Sequence, residues 1–252
     1  MIRVNDLHKS FHDKKRGEVH ALNGVSFEVQ AGEIFGLLGP NGAGKTTALR
    51  LLATVLKPTG GTASIGGADI VTHAEQVRRQ IGFTSGDMGY YARLTPNEVL
   101  SFFGKLNGLE GAQLKSRVAE IRDRFQIGSF ANTKIDKLST GMKQKVAIAR
   151  TVVHNPLVLI LDEPSSGLDV PTARLIEDFI LEERKAGKCI LFSTHVMEEA
   201  EYLCDRIGVV SAGKLTAVGT MDELRQRTGK QRLREIFLDL LGATSASREV
   251  SA

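Results

Sequence analysis

Three short runs of the chain are apolar or glycine at nearly every position: Ile34 to Leu38, Leu157 to Leu161 and Cys189 to Phe192. Strands that alternate expose one face, so unbroken apolar runs of this length predict strands buried on both sides, the habit of a parallel sheet covered by helices. A helical stretch over 172–186 separates the last two and completes a βαβ unit. Alternation does appear elsewhere. Ile2-Arg3-Val4 and Val25-Ser26-Phe27-Glu28-Val29 predict half-exposed antiparallel strands, and Thr62 to Gly66, after Pro58-Thr59-Gly60-Gly61, extends that sheet. Ile207 to Val210 and Lys214 to Val218, joined at Ser211-Ala212-Gly213, predict a hairpin.

From about 87 to 150 the period changes to that of helices. Thr95-Pro96-Asn97-Glu98 offers an N-cap, a proline in the first turn and a capping-box glutamate, followed by Val99, Phe102, Phe103 and Leu106 on one face. Leu114, Val118, Ile121 and Phe125 make a second amphipathic stripe. This region therefore predicts a helical subdomain, 87–150, inserted into an α/β core formed by 1–86 and 151–220. Thr220 and Glu223 form another capping box, and Leu233, Ile236, Phe237 and Leu240 predict a last helix, so that 221–242 close a single domain of 1–242. The Ala/Ser-rich end, 243–252, is expected to be disordered. No internal repeat is present.

Composition removes several classes. A chain of 252 residues is long enough for a substantial core without staples. Cys189 and Cys204 lie in apolar surroundings without metal-ligand spacing, as reduced core residues of a cytosolic protein do. No apolar run approaches the roughly 18 residues of a membrane span, and the N-terminus lacks a signal-peptide pattern, so a soluble chain is expected. The net charge of +4 points to no particular partner.

The chemistry begins at the end of the first buried run. Gly39-Pro40-Asn41-Gly42-Ala43-Gly44-Lys45-Thr46 fits the phosphate-binding P-loop pattern, between a strand and a helical run from Thr47 to Val55. Its glycines let successive N–H groups turn toward phosphate oxygens, and the helix that follows offers unpaired donors and a partial positive charge. Lys45 is placed to reach the β- and γ-phosphates, and Thr46 to ligate Mg2+.

Leu157 to Leu161 ends in Asp162-Glu163, which is how a metal-holding carboxylate and a base are delivered beside such a loop. Asp162 is expected to hold Mg2+ through its water shell, and Glu163 to deprotonate the attacking water. Ser193-Thr194-His195 ends the next apolar run, which should neighbour the Asp162 strand, and His195 is a candidate contact for phosphate and water. A lone histidine there is also a common structural residue. Leu138-Ser139-Thr140-Gly141-Met142 opens a helix, so Ser139 and the Gly141 N–H form a second anion site or an ordinary cap.

Taken together, these motifs resemble the ATP-binding cassette family, specifically the nucleotide-binding subunits of bacterial ABC transporters, over residues 2–242. Gly39 to Thr47 matches Walker A, Leu138 to Met142 the signature, Leu159 to Glu163 Walker B, Ser166-Gly167-Leu168-Asp169 the D-loop and His195 the switch histidine. Phe11 fits the adenine-stacking aromatic. The resemblance implies a P-loop α/β core, mostly parallel, with an N-terminal antiparallel β subdomain and an inserted α-helical subdomain. It also implies ATP and Mg2+ as ligands, ATP hydrolysis, and head-to-tail pairing of two cassettes in which Ser139 and Gly141 contact the γ-phosphate held by the other copy. The partners implied are a second cassette and integral membrane permease subunits, with no nucleic acid. The chain is then expected on the cytoplasmic face of the membrane, bound peripherally through the permease.

Two positions depart from the family pattern. The Q-loop glutamine expected after Ile81-Gly82-Phe83 is Gly86, which leaves Asp87 as the candidate for its Mg2+ or water contact. Thr140 and Met142 replace the usual glycine and glutamine of the signature. With Arg93-Leu94-Thr95-Pro96 and Arg234 to Leu238, these departures resemble cassettes of sodium efflux and of drug or polysaccharide export. Three alternatives stay open. A soluble cassette acting as an ATP-gated clamp is disfavoured by the lack of sustained heptads; a small-molecule kinase leaves Ser139, Glu163 and His195 unexplained; a binding-only module leaves Glu163 and His195 without use.

Overall fold

A computed structural model describes residues 1–15, 17–85 and 91–249. The first part of the chain forms β1 (Ile2–Asp13), β2 (Gly17–Val29), β3 (Ile34–Leu38), α1 (Lys45–Leu52), β4 (Gly60–Ile65), β5 (Ala68–Asp69), α2 (Ala74–Gln80) and β6 (Ile81–Thr84). Helices α3 (Pro96–Leu106), α4 (Gly111–Arg124) and α5 (Thr140–Val152) follow. The chain then returns through β7 (Val158–Asp162), α6 (Val170–Lys185), β8 (Cys189–Thr194), α7 (Met197–Leu203), β9 (Arg206–Ser211) and β10 (Lys214–Gly219), and ends in α8 (Met221–Thr228) and α9 (Leu233–Glu249).

Two sheets result. One is antiparallel, in the order β2-β1-β4-β5; the other runs β10-β9-β3-β8-β7-β6 and is parallel except where β10 pairs with β9. The three apolar runs lie side by side as β3, β8 and β7, and every residue of β3 and β8 is buried. Because successive side chains of a strand point to opposite faces, each strand feeds two cores. Leu159, Leu161, Ile190 and Phe192 pack with α3 to α6, whereas Val158, Ile160, Cys189 and Leu191 pack with α1 and the antiparallel sheet. A third cluster joins Leu38, Ile207 and Val209 to Leu224, Leu233 and Ile236 of the last helices.

The capping boxes form at Thr95–Glu98 and at Thr220–Glu223, with the threonine hydroxyl accepting from the glutamate N–H and the carboxylate accepting from the threonine N–H. Both cysteines are free, and burial pushes the Cys189 thiol up to about 12. Helix α9 continues to Glu249, past residue 243, where disorder was expected. Alanine is the strongest helix former, and between Gly242 and Glu249 no glycine or proline stops the helix. Gly86 and Asp87 lie outside the described residues.

Candidate active site

Parallel strands in register bring their carboxyl ends to one edge, where an open α/β sheet binds ligands. Leu38 pairs with Thr194, and Asp162 with Ser193, so the segments leaving β3, β7 and β8 emerge together. That alignment gathers Lys45, Thr46, Asp162, Glu163 and His195 from positions far apart in sequence.

The loop after β3 can take its path only with glycine at two crowded points. A Cβ at Gly39 would lie 2.4 Å from the Val210 carbonyl oxygen. At Gly44, φ is +109°, and a Cβ would lie 2.5 Å from the Ala21 carbonyl oxygen. Gly44 caps α1, so the free N–H groups of the helix's first turn face the loop. Pro40 to Thr47, with Ala21 and Glu163, enclose a cavity of about 150 Å³. Lys45 is only 4% exposed, and its ammonium donates to the carbonyls of Gly39, at 2.6 Å, and Pro40, at 3.3 Å. A buried cation held by carbonyl dipoles and one carboxylate draws anionic oxygens.

The Thr46 hydroxyl donates to Asp162 Oδ1 at 3.1 Å, and the Ser193 hydroxyl donates to the same oxygen at 2.7 Å. No group of three or more His, Cys, Asp or Glu residues able to hold a metal occurs among the described residues. A hydroxyl and one carboxylate instead form an all-oxygen pair, which suits Mg2+, an ion bound by few protein groups together with substrate phosphates. The site accordingly fits Mg2+ at Thr46 and Asp162.

Glu163 has φ +48°, a left-handed conformation uncommon for a residue with a side chain. Its N–H is fixed by Ser193, donating to the carbonyl at 3.2 Å and lying 3.1 Å from the hydroxyl. This turn carries the Glu163 carboxylate to 3.5 Å from the Lys45 ammonium and 3.2 Å from His195 Nδ1. A carboxylate, a histidine and a buried lysine thus converge at one rim of the loop. They can orient a water, accept its proton and neutralise charge on a phosphoryl group.

The remaining candidate residues lie elsewhere. Ser139 caps α5, its hydroxyl accepting from the Met142 N–H at 3.3 Å, and neither Ser139 nor Gly141 lines the loop cavity. A Cβ at Gly141 would sit 3.3 Å from Asp169 Oδ2 and 3.2 Å from the Thr172 hydroxyl. Asp169 caps α6 through the Thr172 N–H at 2.9 Å, and that bond, with the Thr172 hydroxyl, holds its carboxyl below the usual value. The signature and the D-loop therefore meet each other and leave the loop cavity open. Phe11 stands opposite Val19 on the strand pair that also carries Ala21; it is 40% exposed, with the Lys9 ammonium 5.0 Å from its ring centre. It does not line the cavity.

Sequence reasoning placed Ser193 beside His195 without its bridging part between Asp162 and Glu163. It also passed over Gln144, whose amide donates to the Pro164 carbonyl at 2.7 Å and so ties the signature helix to the turn after Glu163. The signal for Gln144 was present in its place one turn into the helix that Ser139 opens.

Known proteins resemble this chain in sequence and in fold. The ABC transporter family model matches residues 22–166. The ABC transporter ATP-binding protein NatA of Bacillus subtilis (strain 168) is 38% identical over 242 residues, 96% of this chain and 98% of that protein. The daunorubicin/doxorubicin resistance ATP-binding protein DrrA of Streptomyces peucetius is 38% identical over 232 residues, 92% of this chain and 70% of that protein. The solved dimer of the ATP-binding cassette MJ0796 in a post-hydrolysis state, bound to ADP and phosphate, superposes with a TM-score of 0.80 at 26% identity, covering 87% of this chain and 98% of that one. This chain belongs to the ABC transporter family, and its fold is that of the family's ATP-binding cassettes.

Proposed function

We propose that this chain binds and hydrolyses ATP to drive export through a separate membrane permease, working as a pair of cassettes. The observation that carries the reading is the convergence of Lys45, Glu163 and His195 at the rim of the phosphate loop. Lys45 and the α1 N-terminus hold the β- and γ-phosphates, and Thr46 and Asp162 hold Mg2+, which when bound neutralises charge on those phosphates. Glu163 takes a proton from water as the water oxygen bonds to the γ-phosphorus and the bond to the β–γ bridging oxygen breaks, giving ADP and phosphate. His195 orients that water and contacts the γ-phosphate.

In this reading Ser139 and Gly141, outside the loop cavity of their own chain, supply the γ-phosphate contacts of the other copy, and Asp169 lies at that seam. Phe11 provides the stacking face for adenine. The dimeric cassette bound to ADP and phosphate supports both pairing and hydrolysis. Relatives named for drug resistance support export. Asp87 stands as the proposed stand-in for the missing Q-loop glutamine.

No helix among the described residues is long and apolar enough to cross a membrane, so the path for substrate belongs to the permease. A groove of about 540 Å³, lined by Phe83, Phe103, Leu106 and Arg150 among others, separates α3 from the sheet and is the docking place for it. Leu106, which lines the groove, and Phe102 of the same helix are 68% and 52% exposed and add apolar surface to α3. The chain then works at the cytoplasmic face of the membrane. Leu106→Asp is expected to abolish co-purification with the permease from membranes while leaving ATP binding intact, and undiminished co-purification would move the docking place elsewhere.

The test of the reading as a whole is Mg-ATP hydrolysis by the purified chain beside its Glu163→Gln variant. Turnover by the parent and its loss in the variant are expected. Equal turnover in both would remove Glu163 as the base.

A further inference from the structure

Behind the Glu163–His195 pair lies a carboxyl that the proposed chemistry leaves unused. Glu199 stands in the first turn of α7 and is 6% exposed. A buried carboxyl without a cation against it is costly and survives only where hydrogen bonds hold it. Its neighbours are two hydroxyls. The Ser165 hydroxyl donates to Glu199 Oε1, and the Thr194 side chain lies near the carboxyl and favours its charged form.

The positions of those hydroxyls matter more than their number. Ser165 is two residues beyond Glu163, in the turn where the Ser166 N–H donates to the Glu163 carbonyl at 3.3 Å. Thr194 immediately precedes His195, its hydroxyl accepts from the Val196 N–H at 2.9 Å, and its carbonyl accepts from the Gly39 N–H at 3.4 Å. One carboxyl therefore bonds the turn that carries Glu163 and lies beside the turn that carries His195, and the second of these also touches the start of the phosphate loop. Burial pushes the carboxyl above its ordinary value, and the Ser165 and Thr194 hydroxyls oppose this in part; Glu177 of α6 adds to the rise and His195 works against it.

We infer that Glu199 is a positioning residue for ATP hydrolysis, its carboxyl holding the Ser165 hydroxyl from its place beside Thr194 and so setting the separation at which Glu163 meets His195. A glutamine carbonyl accepts from the Ser165 hydroxyl as the carboxyl does, so Gln replaces it and Ala does not. The inference rests on the reading of Glu163 and His195 as the hydrolytic pair.

The experiment compares the full chain, Glu199→Ala and Glu199→Gln by amide hydrogen exchange without nucleotide and by Mg-ATP turnover. In Glu199→Ala the amides of 163–168 and 194–196 are expected to exchange about tenfold faster or more, from loss of a buried hydrogen bond and of the carboxyl's packing between the turns. With the pair displaced, kcat should fall roughly 10²-fold while KM for ATP stays within about twofold. Glu199→Gln should restore both. Unchanged exchange in Glu199→Ala, faster exchange with unchanged kcat, or Glu199→Gln as defective as Glu199→Ala would each overturn the inference. A parent chain without turnover would count against the proposed hydrolysis, and exchange would then decide the positioning alone.

Discussion

Glu163 reaches the ammonium of Lys45 and the ring of His195 because its backbone is held left-handed by Ser193. Gln has the same shape and makes the same backbone turn, so Glu163→Gln removes the proton acceptor and its charge beside Lys45 and His195 while keeping the turn. A positioned base contributes about 10²- to 10⁴-fold, and a loss of that size is expected in single-turnover hydrolysis, with ATP affinity within about twofold of the parent in equilibrium binding. A loss of affinity larger than that would mean that the carboxylate serves binding rather than turnover. The residues of this site were legible because the spacing of a phosphate loop is fixed by what a phosphate needs, and because two acids at a strand end gain meaning beside Lys45. The left-handed turn at Glu163 was not legible. It is imposed by Ser193 of a neighbouring strand, thirty residues away in sequence. Glu199 was equally hidden: in sequence it is one of several acids on a short helix, and only packing reveals that it is buried.

Among the elements, α4 and α6 are joined by charge. Glu183 of α6, 4% exposed, receives Arg124 of α4 at 2.5 Å and lies in ion-pair contact with Lys188, which leads into β8. Burial alone would push the Glu183 carboxyl up; hydrogen bonds from Lys188 and Arg124 outweigh it and hold the carboxyl below its ordinary value. Removing one member of a buried pair strands the other charges, so Glu183→Ala is expected to cost about 3 kcal/mol in urea unfolding. Because the folded value lies below the unfolded one, this stabilisation is present above the ordinary glutamate value of 4.5 and is lost as pH falls through the folded value. The gap between parent and variant should therefore narrow on acidification, and a gap independent of pH would assign the loss to packing alone. The elements themselves were legible where a period or a cap marks them: the three apolar runs became β3, β7 and β8, and both capping boxes formed. The ion cluster joining α4 to α6 was not, since each charge in isolation fits a solvated helix face.

For the whole molecule, the placing of Ser139 and Gly141 is decisive. Gly141 stands beside Asp169 and Thr172, and neither it nor Ser139 lines the cavity that Lys45 lines, so in the proposed reading their γ-phosphate contacts go to another copy. The account therefore requires two. Asp caps a helix as well as Ser does, so Ser139→Asp preserves the start of α5 while setting a carboxylate where the partner's γ-phosphate would lie.

The measurement that tests the central claim most directly is the light-scattering mass of Glu163→Gln with Mg-ATP, alone and combined with Ser139→Asp. The expected result is a doubled mass for Glu163→Gln on adding Mg-ATP, and a monomer for the double variant that still binds ATP at its own loop. A Glu163→Gln chain that stays monomeric at saturating Mg-ATP, or a double variant that dimerises as readily, would contradict an active site shared between two copies.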